Sequence, residues 1–221
     1  MNDDASELVA RARGELADTA KAISDHRFLD LLAGHEVPEG RLRALAAEQA
    51  LIVGSDRRSF AHLAARFPDG EAGDFFLGLA GGEGTALDAL AGFTSWLGLP
   101  VEEMLAYEPR PGAQAYPAFV SWLALNGSRA DVALAFTANL AAWGENCGQV
   151  AATLRSVYGA TDEAVAFFEF FAEPPPGFEE HALAVIAEGL ADGESPVRAR
   201  RATRLLQAYE LAFWDALAEG L

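Results

Sequence analysis

Residues 41–66 read RLRALAAEQALIVGSDRRSFAHLAAR, and apolar side chains recur along the whole stretch at the interval of an α-helix. Pro38, just upstream, suits a first helical turn, where its fixed φ and missing N–H cost little. Phe67-Pro68-Asp69-Gly70 closes the pattern with a turn signal. The same period continues outward on both sides. Toward the N-terminus, Leu8, Val9, Ala12, Leu16, Ala20 and Ile23 predict one helix over 5–23. A short helix through Leu29, Leu31 and Leu32 should then stop at Gly34. Toward the C-terminus, 71–97 reads as helix despite Gly78, Gly81, Gly82 and Gly84, which predict a kink or a close helix contact. A short helix follows Pro100, and 108–112 is a loop. Further helices are expected near 113–125, 129–157, 161–172, 178–190 and 195–219, parted by Asn126-Gly127 and by Glu173-Pro174-Pro175-Pro176-Gly177. Alternating β-branched runs are nearly absent and no internal repeat is visible. The fold class is therefore all-α, with residues 1–221 expected to form a single helical domain.

Composition narrows the function classes. Of the 221 residues, 51% are hydrophobic and 22% charged, enough to build a large core without a disulfide or metal staple. The formal net charge is −17, from 16 Lys+Arg against 33 Asp+Glu. Such a field opposes nucleic acid and anionic lipid, so neither is expected as a partner. The one basic cluster, Arg198, Arg200, Arg201 and Arg204, follows the helix start Ser195-Pro196 and is read as a solvated face. A single cysteine, Cys147, cannot form an intramolecular disulfide, which suits a reducing compartment. The acidic start Met1-Asn2-Asp3-Asp4 is unlike a signal peptide, and no uncharged apolar run is long enough to span a bilayer. The expected location is the cytoplasm.

Some chemistries are disfavoured by local pattern. Gly78-Leu79-Ala80-Gly81-Gly82-Glu83-Gly84 lacks the Gly-Lys-Ser/Thr ending and the preceding strand of a phosphate loop, and Glu83 would repel a phosphate. The four histidines show no Glu-x-x-His pairing of the kind that builds metal centres in helical bundles, so no metal is expected. Cys147 reads as a buried structural thiol, since a reactive thiolate needs a positive neighbour and its surroundings are acidic.

Three stretches carry a resemblance. His26-Arg27-Phe28 through Gly34, followed by Val37-Pro38-Glu39 and the long helix, is the first. Leu97-Gly98-Leu99, Tyr107-Glu108-Pro109 and Ala115-Tyr116 form the second. Tyr209-Glu210-Leu211-Ala212-Phe213-Trp214 is the third. In order and spacing they resemble the TenA/thiaminase II family from about residue 20 to the end. That resemblance implies a haem-oxygenase-like helical bundle, no cofactor, and hydrolysis of thiamine or its damaged aminopyrimidine. In the family a cysteine attacks the pyrimidine carbon and the amine leaves.

Carried over residue by residue, the resemblance makes Glu210 the C-terminal acid, Tyr116 a pocket hydrogen-bonder and Glu145 a glutamate on the nucleophile's helix. The nucleophile position falls at Asn139, which cannot attack carbon. The aminopyrimidine-binding acid falls at Gln49, with Glu48 beside it, and two pocket tyrosines become Ile52 and Phe171. Cys147 stands eight residues past Asn139, about 12 Å along a helix, too far to replace it. Two readings remain open. One is cysteine-independent hydrolysis of an aminopyrimidine, with Glu210 and Glu145 or Glu48 as acid and base. The other is a repurposed or non-catalytic binder of a small molecule, its more apolar pocket lined by Ile52, Phe171, Trp143 and Phe136. Haem binding through His26 is a third reading, resting on fold analogy alone. The resemblance also implies a homo-oligomer, a dimer or tetramer.

Overall fold

The computed structural model describes residues 2–221, and its described residues form eleven helices and no strand. In chain order these are α1 (Asn2–Glu15), α2 (Ala17–Ser24), α3 (Arg27–Ala33), α4 (Glu39–Arg66), α5 (Gly70–Trp96), α6 (Val101–Ala106), α7 (Pro111–Asn126), α8 (Arg129–Tyr158), α9 (Asp162–Ala172), α10 (Phe178–Ala191) and α11 (Pro196–Ala218). Among the described residues, no helix is long and apolar enough to cross a membrane.

The expected boundaries hold closely, with one division. The run over 5–23 is two helices, because the Leu16 amide tightens onto both the Ala12 and Arg13 carbonyls and turns the chain. Leu16 itself stays in the core, so its periodic spacing hides the bend. The glycines of α5 do not interrupt it. Gly84 faces the Arg57 guanidinium on α4, where a Cβ would stand 3.2 Å from it. The closest approach lies further on: a Cβ added at Gly92 would stand 2.0 Å from the Glu163 carbonyl oxygen at the start of α9.

Helix α8 is the axis of the bundle. Residues 130–139 are all buried, as expected of a helix apolar on every side. Its start is fixed by a capping box between Ser128 and Asp131, and it ends at Gly159, whose φ of 69° favours glycine. Around it lie two apolar clusters. One joins α2, α3, α4, α5, α7, α8, α9 and α11 about Phe28, Phe167, Phe168 and Trp214. The other joins α1, α4, α5, α7, α8, α10 and α11 about Phe60, Phe76 and Phe136. Tyr116 packs against both, so it marks the seam between them.

The polar surface pins helix to helix. Of the basic cluster, Arg200 and Arg204 pair with Glu15, while Arg198 pairs with Asp131. The Glu15 pairs are partly exposed and contribute little each, whereas Asp131 is buried at the start of α8. His26 caps α3: its Nδ1 accepts from the Phe28 amide at 3.1 Å and its Nε2 meets Asp215 at 3.2 Å. Both ring nitrogens are engaged, which removes His26 as a free haem ligand.

Candidate functional site

A cavity of about 50 Å³ opens at the seam. Helix α4 supplies Gln49, Ile52, Val53 and Asp56, which follow one another on one face. Helix α8 supplies Phe136, Asn139, Leu140 and Trp143, and α11 supplies Glu210 and Phe213. Glu83 of α5, Tyr116 of α7 and Phe171 of α9 complete the wall. The lining is mainly apolar and aromatic, with a few polar groups converging on it, the usual make-up of a small-molecule site.

Asn139 organises the polar side. Its Oδ1 accepts from the Tyr116 hydroxyl at 2.8 Å, and its Nδ2 donates to Glu210 Oε2. One turn before Glu210, Gln207 donates to the Ala138 carbonyl at 3.1 Å and locks α11 onto α8. Glu210 is buried and its Oε1 has no partner. The Trp214 indole N–H lies close enough to oppose ionisation loss slightly, yet meets no acceptor in hydrogen-bonding geometry. Burial prevails and pushes the Glu210 carboxyl up to about 8, so it is mostly neutral at pH 7. Tyr116 is held far into its protonated form, first by burial and then by Asp56, Glu210 and Glu83.

The part of the lining that comes from α4 and α5 carries an acidic pair. Asp56 is buried, and its Oδ1 is also without a partner. Its carboxyl is raised by burial and by the like charge of Glu83, with Arg58 acting weakly the other way. Burial pushes Glu83 up to about 8. Two carboxyls sharing an apolar wall do not both ionise readily, so the pair retains a proton near neutrality.

A second chamber of about 190 Å³ adjoins the first and shares Glu83, Leu140 and Phe171 with it. These three residues form a neck. Phe75, Leu79, Phe170 and Phe178 line the outer chamber, with Asp74, Glu173 and His181 at its edge. Gly78 and Gly82 of α5 keep it open: a Cβ at 78 would meet nothing within 4 Å, and one at 82 only Phe170, at 3.7 Å.

The structure brings most of the residues singled out from sequence into this one place: Glu210, Tyr116, Asn139, Gln49, Ile52, Phe171 and Trp143 all line the cavity. Two do not. Glu145 is exposed, in a surface groove with Asp25 and Asp30. Six residues past Asn139, it points about 240° round the helix, away from the cavity, so it is not an acid or base there. Glu48 is fully buried, but about 100° round α4 from Gln49 it faces away from the cavity. Its carboxylate accepts from the Tyr107 hydroxyl (2.7 Å), the Arg110 amide (2.7 Å) and Gln114 Nε2 (2.5 Å), so it is a clasp for the loop between α6 and α7. Cys147 is buried outside the cavity lining, and burial holds its thiol protonated. Sequence reasoning missed Asp56 and Glu83 as site residues. Asp56 stands two turns beyond Gln49 on the same face, and Glu83 is a lone acid among glycines, but neither pattern says that the two meet at one cavity. Among the described residues, no three His, Cys, Asp or Glu side chains converge to hold a metal ion.

The same architecture occurs in solved structures. The TenA homologue of Pyrococcus furiosus is 21% identical and superposes with a TM-score of 0.74, covering 95% of this chain and 99% of its own. A Shewanella denitrificans domain of unknown function with a haem-oxygenase-like fold gives 14% and 0.76, covering 95% and 91%. A candidate TenA-like thiaminase of Sulfolobus solfataricus gives 14% and 0.67, covering 96% and 95%. At these identities the likeness establishes the fold. No curated protein matches the sequence. A model of the TENA/THI-4/PQQC family matches residues 14–219, nearly the whole chain. This haem-oxygenase-like helical chain belongs to the TENA/THI-4/PQQC family.

Proposed function

We propose that the chain hydrolyses a C–N bond in a small aminopyrimidine of thiamine salvage, by carboxylate chemistry without a covalent enzyme intermediate. The observation that carries this reading is Glu210: a neutral buried acid, clamped through Oε2 by Asn139, with an unpartnered Oε1 at the cavity. The family supports the substrate class, and so does the thiaminase description of the Sulfolobus neighbour.

The chemistry divides between Glu210 and the Asp56–Glu83 pair. A neutral acid near pH 7 is matched to protonating a leaving nitrogen. The ionised member of the Asp56–Glu83 pair takes a proton from water. The water oxygen bonds to the carbon bearing the amine, the C–N bond breaks, and the nitrogen takes the Glu210 proton and departs. The products are an alcohol and ammonia or an amine, and the proton gained by the pair returns to Glu210 through solvent. An aromatic ring needs a space of roughly 150 Å³. The inner cavity is smaller than that and the outer chamber is larger. The ring therefore sits in the outer chamber and presents its amine through the neck.

The test is ammonia release from aminomethyl-pyrimidine and thiazole release from thiamine, by wild type and Glu210→Gln. Turnover that falls at least 100-fold in the variant, and that declines in wild type as pH rises through about 8, supports the proposal. Absence of turnover with every pyrimidine overturns it. A binding role without catalysis is the second reading, favoured by how completely Asn139 engages the groups around it.

A further inference from the structure

We propose that the Asp56–Glu83 pair is a recognition site for an organic cation: a charged nitrogen head in the inner cavity, joined to an apolar arm in the outer chamber. This deepens the proposed function, since it rests on the same cavity.

Four observations point to the cation. First, Asp56 Oδ1 is buried, lies on a residue that lines the cavity and lacks a partner. A buried acceptor without a donor is costly, and a ligand that brings N–H groups relieves the cost. Second, no Lys or Arg lines either chamber: His181 stands at the outer one, and Arg58 acts on Asp56 only from outside the lining. Third, acids mark the whole route: Asp74 and Glu173 at the outer chamber, Glu83 at the neck, Asp56 inside. On a chain of net charge −17, such a path concentrates cations and excludes anions. Fourth, Tyr116, Trp143 and Phe213 surround the inner acids with aromatic surface, which attracts a cation through its π-face.

The outer chamber defines the arm. Phe75, Leu79, Phe170 and Phe178 offer an apolar wall to a flat or hydrocarbon group. Glu83 lines both spaces, so a ligand that passes it places one end in each. The ligand class is a monocation of roughly benzyl size. Binding also moves a proton. The pair shares the inner cavity with Tyr116 of α7 and Glu210 of α11 and the outer chamber with Asp74, Glu173 and His181, and Arg58 stands on the helix of Asp56. The empty pair retains a proton because of this crowding, and an entering positive charge releases it.

The experiment is calorimetric titration of the intact chain at pH 7 with two isosteric pairs: benzamidinium against neutral benzamide, and benzylammonium against benzyl alcohol. The expected result is binding of the cations at least ten-fold tighter than of their neutral counterparts. Their heats should vary with the ionisation enthalpy of the buffer, reporting proton release. Asp56→Asn and Glu83→Gln should each lose the preference and the buffer dependence while unfolding at wild-type temperature or above, since each removes a buried charge. Equal binding of cation and isostere overturns the inference, as does absence of binding at millimolar concentration. Unchanged preference in both variants overturns it too. Glu210→Gln separates this from the proposed hydrolysis: it should abolish turnover and leave cation preference in place. Cation preference without any turnover would sink the hydrolysis and leave the recognition site standing.

Discussion

Glu210→Gln removes an ionisable group and little else, which makes it a direct measure of what the cavity costs the fold. The glutamine carbonyl oxygen can still accept from Asn139 Nδ2, so the connection to α8 survives. In wild type the unfolded carboxyl titrates at 4.5 and the folded one at about 8. Below pH 4.5 both states carry the proton and the group contributes no penalty. As pH rises from 4.5 to 8, the unfolded chain releases its proton while the folded chain holds it. Stability is lost at about 1.4 kcal/mol per pH unit and levels off above 8. The total is about 4–5 kcal/mol at the upper end. Asp56 and Glu83 titrate in the same direction in both proteins, so the difference between the proteins isolates position 210. At roughly 2–4 °C per kcal/mol for a chain of this size, the variant should gain about 10 °C over wild type between pH 5 and 9. Urea unfolding at a series of pH values gives the same quantity in free energy. A difference that is flat across this range would refute the reasoning, because it would mean that Glu210 is already ionised in the folded protein at pH 5.

Other outcomes test the walls and the packing. Gly78→Leu places its Cβ where nothing lies within 4 Å; it should raise stability by about 0.5–1 kcal/mol through helix propensity. The same change should weaken benzamidinium binding at least ten-fold by filling the outer chamber. Gly92→Ala drives a Cβ into the Glu163 carbonyl and should cost about 1–3 kcal/mol in urea denaturation. Asn139→Ala leaves the Tyr116 hydroxyl and Glu210 Oε2 without their partner and should cost about 1–3 kcal/mol, measured the same way.

Helix period and turn chemistry made the fold readable, because every long element here buries a face and ends at Gly, Pro or a capping residue. Leu16 escaped because a residue at a bend can keep its place in a periodic core. The site was legible where the resemblance supplied positions and where those positions share a helix face with Asn139 or Gln49. Glu48 and Glu145 were misplaced because adjacency in sequence turns a side chain away on a helix. Asp56 and Glu83 stayed hidden for another reason. Their meaning depends on α4 and α5 facing one cavity across the bundle, which no local pattern encodes.

Asn139 carries a consequence for protein engineering. Its amide is used at both ends, by a phenol on α7 and a carboxyl on α11, so it is an interlock between three helices. Placing a cysteine at 139 would supply a thiol but would release Tyr116 and Glu210 together. The gain of one chemical group would coincide with the loss of order in two others. Position 139 is therefore epistatic to 116 and 210. A search for thiol-based variants should vary the three sites as one library, since single steps through 139 descend before they climb.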